Sequence, residues 1–514
     1  MSEPIKKQVH NERDILARRN SISTLANQLV TMICGILIPR MMIGAFGSAL
    51  YGATTSIAQF LSYISLLESG IGRAARSALY RPLAKKDMEN VANVYYAIRR
   101  FFLGVAIIFI LYTIVLAYFY FDIADLQGVT REYLFFLVIV ISLSTVIDYL
   151  CGISNQTLLN ADQSKYITNS AIIVTRILNT LLVLLLIHLG SGLIAVKLGS
   201  SLIIIIRPLF LSWYVNRKYS FKEIPHKKVA LPQKWSGMAQ HIAYFIHSNT
   251  DIMLLTVFSD LRLVAVYAIY SLIITSVRNL IFSMVGGMEA ILGDMFAHGE
   301  QQALTKRYRK YQFITGMATL ILMGVTGVMI VPFVSLYTRG VTDANYIQPL
   351  FALILTIAEA IDCLALPCST IPVSANQLKQ SQWGSIGEAI VNIGVSCALI
   401  SWNPLLGVAL GTLTAEVFKF TYYSVYAARN ILHRESRESF VNGGIIVLIV
   451  LLFGLTGFRV KANAAIENYG VWVLWAMMMT VAAACIALLI GYICYRDETR
   501  AAIKQVLAIL RHMH

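Results

Sequence analysis

Runs of about twenty predominantly apolar residues recur along this chain from Leu25 to Ile493, and each is long enough to cross a hydrocarbon layer ~30 Å thick. Lipid offers the backbone no hydrogen-bond partner, so a spanning segment must be a helix or belong to a closed barrel. The runs are too long and too uniformly apolar for alternating barrel strands. Spans are expected at 21–44, 50–72, 98–121, 132–158, 166–188, 193–214, 237–258, 264–292, 311–337, 346–373, 382–401, 404–428, 441–459 and 470–494. The chain therefore reads as an all-α polytopic membrane protein with about fourteen transmembrane helices. Composition agrees, since 57% of its 514 residues are hydrophobic and 13% charged, against about a quarter charged in soluble domains.

Loop charges set an expected orientation. Thirty-one Lys/Arg fall in loops and tails on the side of the N-terminus, and six (Arg131, Lys197, Arg262, Arg339, Arg459, Lys461) on the other. By the positive-inside rule both termini are cytoplasmic, and the net charge of +15 faces anionic headgroups. No separate basic domain carries a nucleic-acid footprint. The polar first twenty residues lack the cleavage site of a signal peptide. The segment RAARSALYRPLAKKDMENVANVYYAIRR has apolar residues at helical spacing and a basic side, as an amphipathic helix on the inner leaflet does. All seven cysteines fall inside expected spans and read as small packing residues. Cys363 and Cys368 have no histidine companion that would suggest zinc.

An internal repeat organises the chain. Asp148 precedes Ala161-Asp162-Gln163-Ser164-Lys165 by the distances that separate Asp362 from Ala375-Asn376-Gln377-Leu378-Lys379. Leu198-Gly199, Arg207, Tyr214 and Arg217 are spaced like Leu410-Gly411, Lys419, Tyr426 and Arg429, and Tyr51 and Gly70 like Tyr267 and Gly286. The three anchors share an offset of 212 to 216 residues. The expected organisation is a cytoplasmic tail (1–20), a six-helix bundle (21–217), a cytoplasmic linker (218–236), a second six-helix bundle (237–430), two additional transmembrane helices (431–495) and a basic cytoplasmic tail (496–514). Six is even, so the copies run parallel, related by a pseudo-two-fold along the membrane normal. Transporters that work by alternating access around a midplane site use such repeats.

Charges inside the spans mark candidate sites, because each costs ~2.5–3.5 kcal/mol at a span centre on insertion scales. Five basic residues qualify: Arg40, Arg176, Arg207, Arg278 and Lys419. Arg176 and Arg278 fall near the midplane, one in each half, whereas Arg207 and Lys419 are expected nearer the cytoplasmic mouth and Arg40 near the outer end. A guanidinium pair suits a diphosphate, since the planar fork stays charged and bonds phosphate oxygens in pairs. The competing expectation is internal ion pairing. Asp251, Glu359, Glu416, Asp148 and Asp362 are candidates for coupling or ion pairing, with Asp251 serving either a Na⁺ or H⁺ or the neutralisation of Arg278. No glycine-rich phosphate loop, metal-ligating histidine pair or nucleophile elbow appears, so neither enzyme, metal nor cofactor is expected. His241 and His247, six apart, do not share a helix face.

The strings LIPRMMIGAFGSALYG, LLESGIGRAARSALYRPLAKKD, NTDIMLLTVFSDLRLVAVYAIY, VKLGSSLIIIIRPLFLSWYVNRKY and VPFVSLYTRGVTDANYIQPLFA resemble the polysaccharide transporter branch of the multidrug/oligosaccharidyl-lipid/polysaccharide exporter superfamily, and its Gram-positive oligosaccharide flippases in particular. The resemblance spans essentially the whole chain. It implies a Wzx-type flippase of the bacterial plasma membrane that moves an undecaprenyl-diphosphate-linked oligosaccharide to the outer leaflet, alongside glycosyltransferases and a polysaccharide polymerase. The alternatives are a multidrug cation antiporter of the same superfamily, which would favour an acidic aromatic cavity, and a lipid II flippase. A membrane scaffold would need neither the repeat nor the buried charges.

Overall fold

The computed structural model describes residues 3–68, 72–124, 126, 128–221, 227, 238–463, 466–501 and 504. Gly70, most of the linker and the end of the basic tail lie outside the described residues. The described residues are mostly helical, with no strand among them. In chain order the helices are α1 (Glu3–Ser62), α2 (Gly72–Lys85), α3 (Met88–Ile123), α4 (Arg131–Ile147), α5 (Ile153–Ala161), α6 (Lys165–His188), α7 (Leu193–Tyr219), α8 (Met238–Phe258), α9 (Leu261–Met284), α10 (Met288–Ala297), α11 (Gln301–Tyr337), α12 (Pro349–Ser374), α13 (Leu378–Leu399), α14 (Pro404–Ala427), α15 (Arg437–Asn463) and α16 (Tyr469–Cys494).

Among the described residues, ten segments are long and apolar enough to cross a membrane. The first of these is a single segment of 51 residues, and it holds the first two expected spans. Its helix bends at Gly47, whose φ of 81° and ψ of 168° suit a residue without a Cβ. Three further helices, α8, α13 and α14, have 21, 22 and 24 residues. They are long enough to span, but they carry Asp251, Glu388, Glu416 and Lys419, which lowers their hydropathy. Counting α1 twice and adding these three accounts for about fourteen crossings. The charges that dilute the three helices are the ones the site is built from.

The chain divides into two compact units, up to Met238 and from Ala239. In the first, α6 packs on α1 and α7, and α4 on α3 and α7. A π-helical turn at Asp148–Gly152 joins α4 to α5. In the second, α14 packs on α12 and α13, and α11 on α9, α12, α15 and α16. The C-terminal pair is held at close range. A Cβ on Gly457 would meet the Gly327 carbonyl oxygen at 3.1 Å, and one on Gly327 would meet Gly454 Cα at 3.3 Å, so the backbones of α11 and α15 nearly touch. The amphipathic segment forms α2 and the first turns of α3, where Asp87 caps the helix through the Asn90 N–H.

Candidate functional site

The repeat anchors are partners of one another. In the first unit Arg207 on α7 pairs with Asp148 in the π-helical turn. In the second, Lys419 on α14 pairs with Asp362 on α12 at 2.6 Å. An acid and a base that the duplication placed at matching positions thus close the same bridge twice.

Everything beyond that bridge differs between the units. Lys419 Nζ also lies 3.2 Å from Glu388 and 3.3 Å from Glu416. His247 Nε2 on α8 faces the same two acids, at 3.0 Å from Glu416 and 3.4 Å from Glu388. Arg278 on α9 holds Glu359 at 3.1 Å and Asp362 at 3.2 Å through one Nη; its Nε is buried without a partner. One turn along α8, Asp251 accepts from the Tyr267 hydroxyl at 2.7 Å and the Thr412 hydroxyl at 2.8 Å, and Asn392 donates to Thr412. A Cβ on Gly411 would meet the Asn392 carbonyl at 2.9 Å, so α13 and α14 approach closely enough to bring these groups together.

One of the expectations needs correction here. Asp251 does not neutralise Arg278, which takes Glu359 and Asp362 instead; Asp251 is bound by hydroxyl donors.

Five carboxylates (Asp251, Glu359, Asp362, Glu388, Glu416) share this region with two permanent cations, Arg278 and Lys419. Buried charge must be compensated, so the excess acid calls for protons or a bound cation. Ligand atoms of His247, Glu388 and Glu416 lie within 4.8 Å of one another. Lys419 already sits against both glutamates, and a positive charge inside a ligand set opposes a divalent ion; a proton fits there better. Two buried oxygens on residues joined through Thr412, Asp251 Oδ1 and Asn392 Oδ1, have no hydrogen-bond partner. Hard oxygen donors without a hydrogen-bond donor suit a small cation.

The first unit has the opposite character. By the repeat offsets the positions of His247, Arg278, Glu359, Glu388 and Glu416 are filled by Thr31, Ser62, Thr145, Val174 and Ile204. Arg176 stands midway along α6, exposed, with no carboxylate partner among the described residues and within electrostatic reach of Arg207. On a 3.6-residue helix it lies opposite the exposed apolar stripe of Val174, Ile177, Leu181, Leu184 and Leu185, the stripe that suits lipid. Arg40, after Pro39 in α1, is half-buried and engaged within the protein. Glu68 accepts a hydrogen bond from Tyr149.

The fold has solved relatives. The chain is similar to the MATE multidrug transporter DinF-BH in complex with rhodamine 6G, at TM-score 0.59 and 18% identity over 82% of this chain and 97% of that one. It is also similar to an inward-facing multidrug resistance MATE transporter of the MOP superfamily, at TM-score 0.59 and 16% identity over 80% and 98%. The lipid II flippase MurJ in an inward closed conformation matches at TM-score 0.65 and 13% identity, over 93% of this chain and 99% of that one. The chain thus has the all-helical fold of the MATE transporters and MurJ, and it is a multi-pass membrane protein. The wider coverage with MurJ exceeds that with the MATE structures by about the length of the C-terminal helix pair. No protein-family profile and no curated protein sequence matches the chain.

Proposed function

We propose that this protein is a flippase that carries an undecaprenyl-diphosphate-linked oligosaccharide from the inner to the outer leaflet of the bacterial plasma membrane by alternating access, with both termini cytoplasmic. The observation that carries the reading is the unbalanced guanidinium of Arg176 beside Arg207. An arginine left without a carboxylate at mid-depth is costly unless an anion meets it, and a diphosphate matches its fork. Arg278, by contrast, is already balanced by Glu359 and Asp362. The acid excess of the second unit serves the coupling ion, Na⁺ or H⁺, through Asp251 and its neighbours.

A second reading is multidrug export, favoured by that same acid excess and by the MATE relatives, one of which holds bound rhodamine 6G. A lipid II substrate is the third, as in MurJ. Proteoliposomes carrying a fluorescent undecaprenyl-diphosphate-linked trisaccharide, a lipid II analogue or rhodamine 6G separate the three. The expected result is flipping of the trisaccharide lipid, abolished by Arg176→Ala and partly kept by Arg176→Lys, with the protein still in the membrane. Unimpaired flipping by the Arg176→Ala, Arg278→Ala double variant, or transport of rhodamine 6G alone, overturns the proposal.

A further inference from the structure

Lys197 carries an unclaimed charge. The loop count assigns it to the outer side of the membrane although it falls inside the expected span 193–214, and the structure puts it in the second turn of α7, which begins at Leu193. It is half-buried and has no hydrogen-bond or ion-pair partner among the described residues. It also lies opposite the exposed apolar stripe of α7 formed by Leu198, Leu202, Ile206, Leu209 and Trp213, so it sits on the same side of its helix, away from lipid, as Arg176 does on α6.

The repeat shows that the charge is not required by the fold. At the offset of 212 that relates Arg207 to Lys419, Lys197 corresponds to Ala409, and at the offset of 214 that relates Lys165 to Lys379, Arg176 corresponds to Ile390. Ala409 is fully buried. The same helix position in the second unit is therefore built without a cation, whereas the Arg207 position keeps one in both. Two unbalanced cations that only one copy has, on two packed antiparallel helices, call for a ligand rather than a structural partner.

Along the helix axes Arg176 lies ~18 Å from the His188 end of α6 and Lys197 ~6 Å from the adjoining start of α7, at ~1.5 Å per residue. By the same rise the two charges are about 12 Å apart in depth, with Lys197 nearer the outer surface. We infer that Lys197 is a second anion-binding residue, which receives the diphosphate from Arg176 on its way to the outer leaflet. This deepens the flippase reading and rests on it. Lysine suits a transient station: it offers a mobile point charge rather than a bidentate fork.

The test uses the full chain in proteoliposomes with the fluorescent undecaprenyl-diphosphate-linked trisaccharide. Lys197→Gln should lower the maximal flipping rate by about tenfold, the scale of one lost charge-assisted hydrogen bond, and leave KM for inner-leaflet substrate and the melting temperature unchanged. Lys197→Arg should restore most of the rate. Inorganic pyrophosphate added to the outer side should inhibit the parent protein and not the Gln variant. If Lys197→Gln fails to accumulate, Lys197→Cys in a background with Cys397 and Cys485 replaced by Ser allows the charge to be restored with an aminoethyl thiol reagent, with a methyl reagent as the neutral control. Recovery with the aminoethyl group alone supports the inference; equal rates with both overturn it. A full rate in Lys197→Gln beside an inactive Arg176→Ala sinks the Lys197 station only, whereas full rates in both variants sink the flippase reading itself.

Discussion

Among the described residues Lys419 is the cation shared by the most carboxylates, and its removal gives a quantitative check on how the second unit is held. Its Nζ lies 2.6 Å from Asp362, 3.2 Å from Glu388 and 3.3 Å from Glu416, with side-chain exposures of 10% for Lys419 and 6% for Asp362. At an effective dielectric constant of ~20 the closest contact is worth ~6 kcal/mol gross, and the desolvation of both ions offsets much of it. Deleting one partner of such a buried pair leaves an uncompensated charge and costs about 3–5 kcal/mol. Lys419→Met should therefore destabilise by that amount. Asp362→Asn should cost less, because Lys419 keeps two other carboxylates and Arg278 keeps Glu359. In the double variant the losses should not add, with a coupling energy of about 1–3 kcal/mol. The equivalent bridge, Arg207 to Asp148, has exposures of 22% and 20%, so water screens it more and its cycle should give a smaller coupling. Thermal unfolding in detergent, followed by intrinsic fluorescence, reads both cycles side by side. Strictly additive losses in the second unit, or a larger coupling at the more exposed bridge, would mean that burial does not set the strength of these pairs.

Two other outcomes are expected. Reporter fusions at Thr342 and His433 should report the outer and cytoplasmic sides respectively; the reverse assignment would contradict the loop-charge orientation. Asp251→Asn removes the charge from the group of Asp251, Thr412 and Asn392, so on the proposed function transport by that variant should no longer respond to imposed Na⁺ or pH gradients while substrate binding persists, and an unchanged gradient response would count against a coupling role.

The helices and the duplication are legible in the sequence because both are properties of one dimension: apolar runs of fixed length, and spacings that recur. Asp148, Arg207, Asp362 and Lys419 can be recognised as equivalent, and that equivalence has a physical cause in two matching ion pairs. The convergence of His247, Asn392, Glu388, Glu416 and Lys419 is not legible. Helical spacing tells which residues of one helix share a face, and it sets His247 apart from His241; it says nothing about acids that α13 and α14 bring to the same place. Asp251 and Arg278 lie on consecutive helices, which suggests a pairing that the fold does not make. The contacts that Asp251 does make come from Tyr267, near the start of α9, and Thr412, 161 residues away. Lys197 escapes notice for a simpler reason: it lies inside the expected span 193–214, but close enough to its start to be counted with the loop charges. The repeat nonetheless carries the corresponding signal, since it aligns Lys197 with Ala409.

The near-contact between Gly327 on α11 and Gly454 and Gly457 on α15 has a consequence for how the chain is made. A ribosome delivers α11 more than a hundred residues before α15, so for that interval the small-residue face of α11 stands open to lipid or to the insertion machinery. The last helix pair then closes it, with Phe453 over Gly324 and backbone against backbone at Gly327 and Gly457; a bulkier residue at Gly327 or Gly457 would crowd this last docking step. The cost of such a change therefore falls on the last stage of assembly, when α15 arrives, rather than on the helices placed before it.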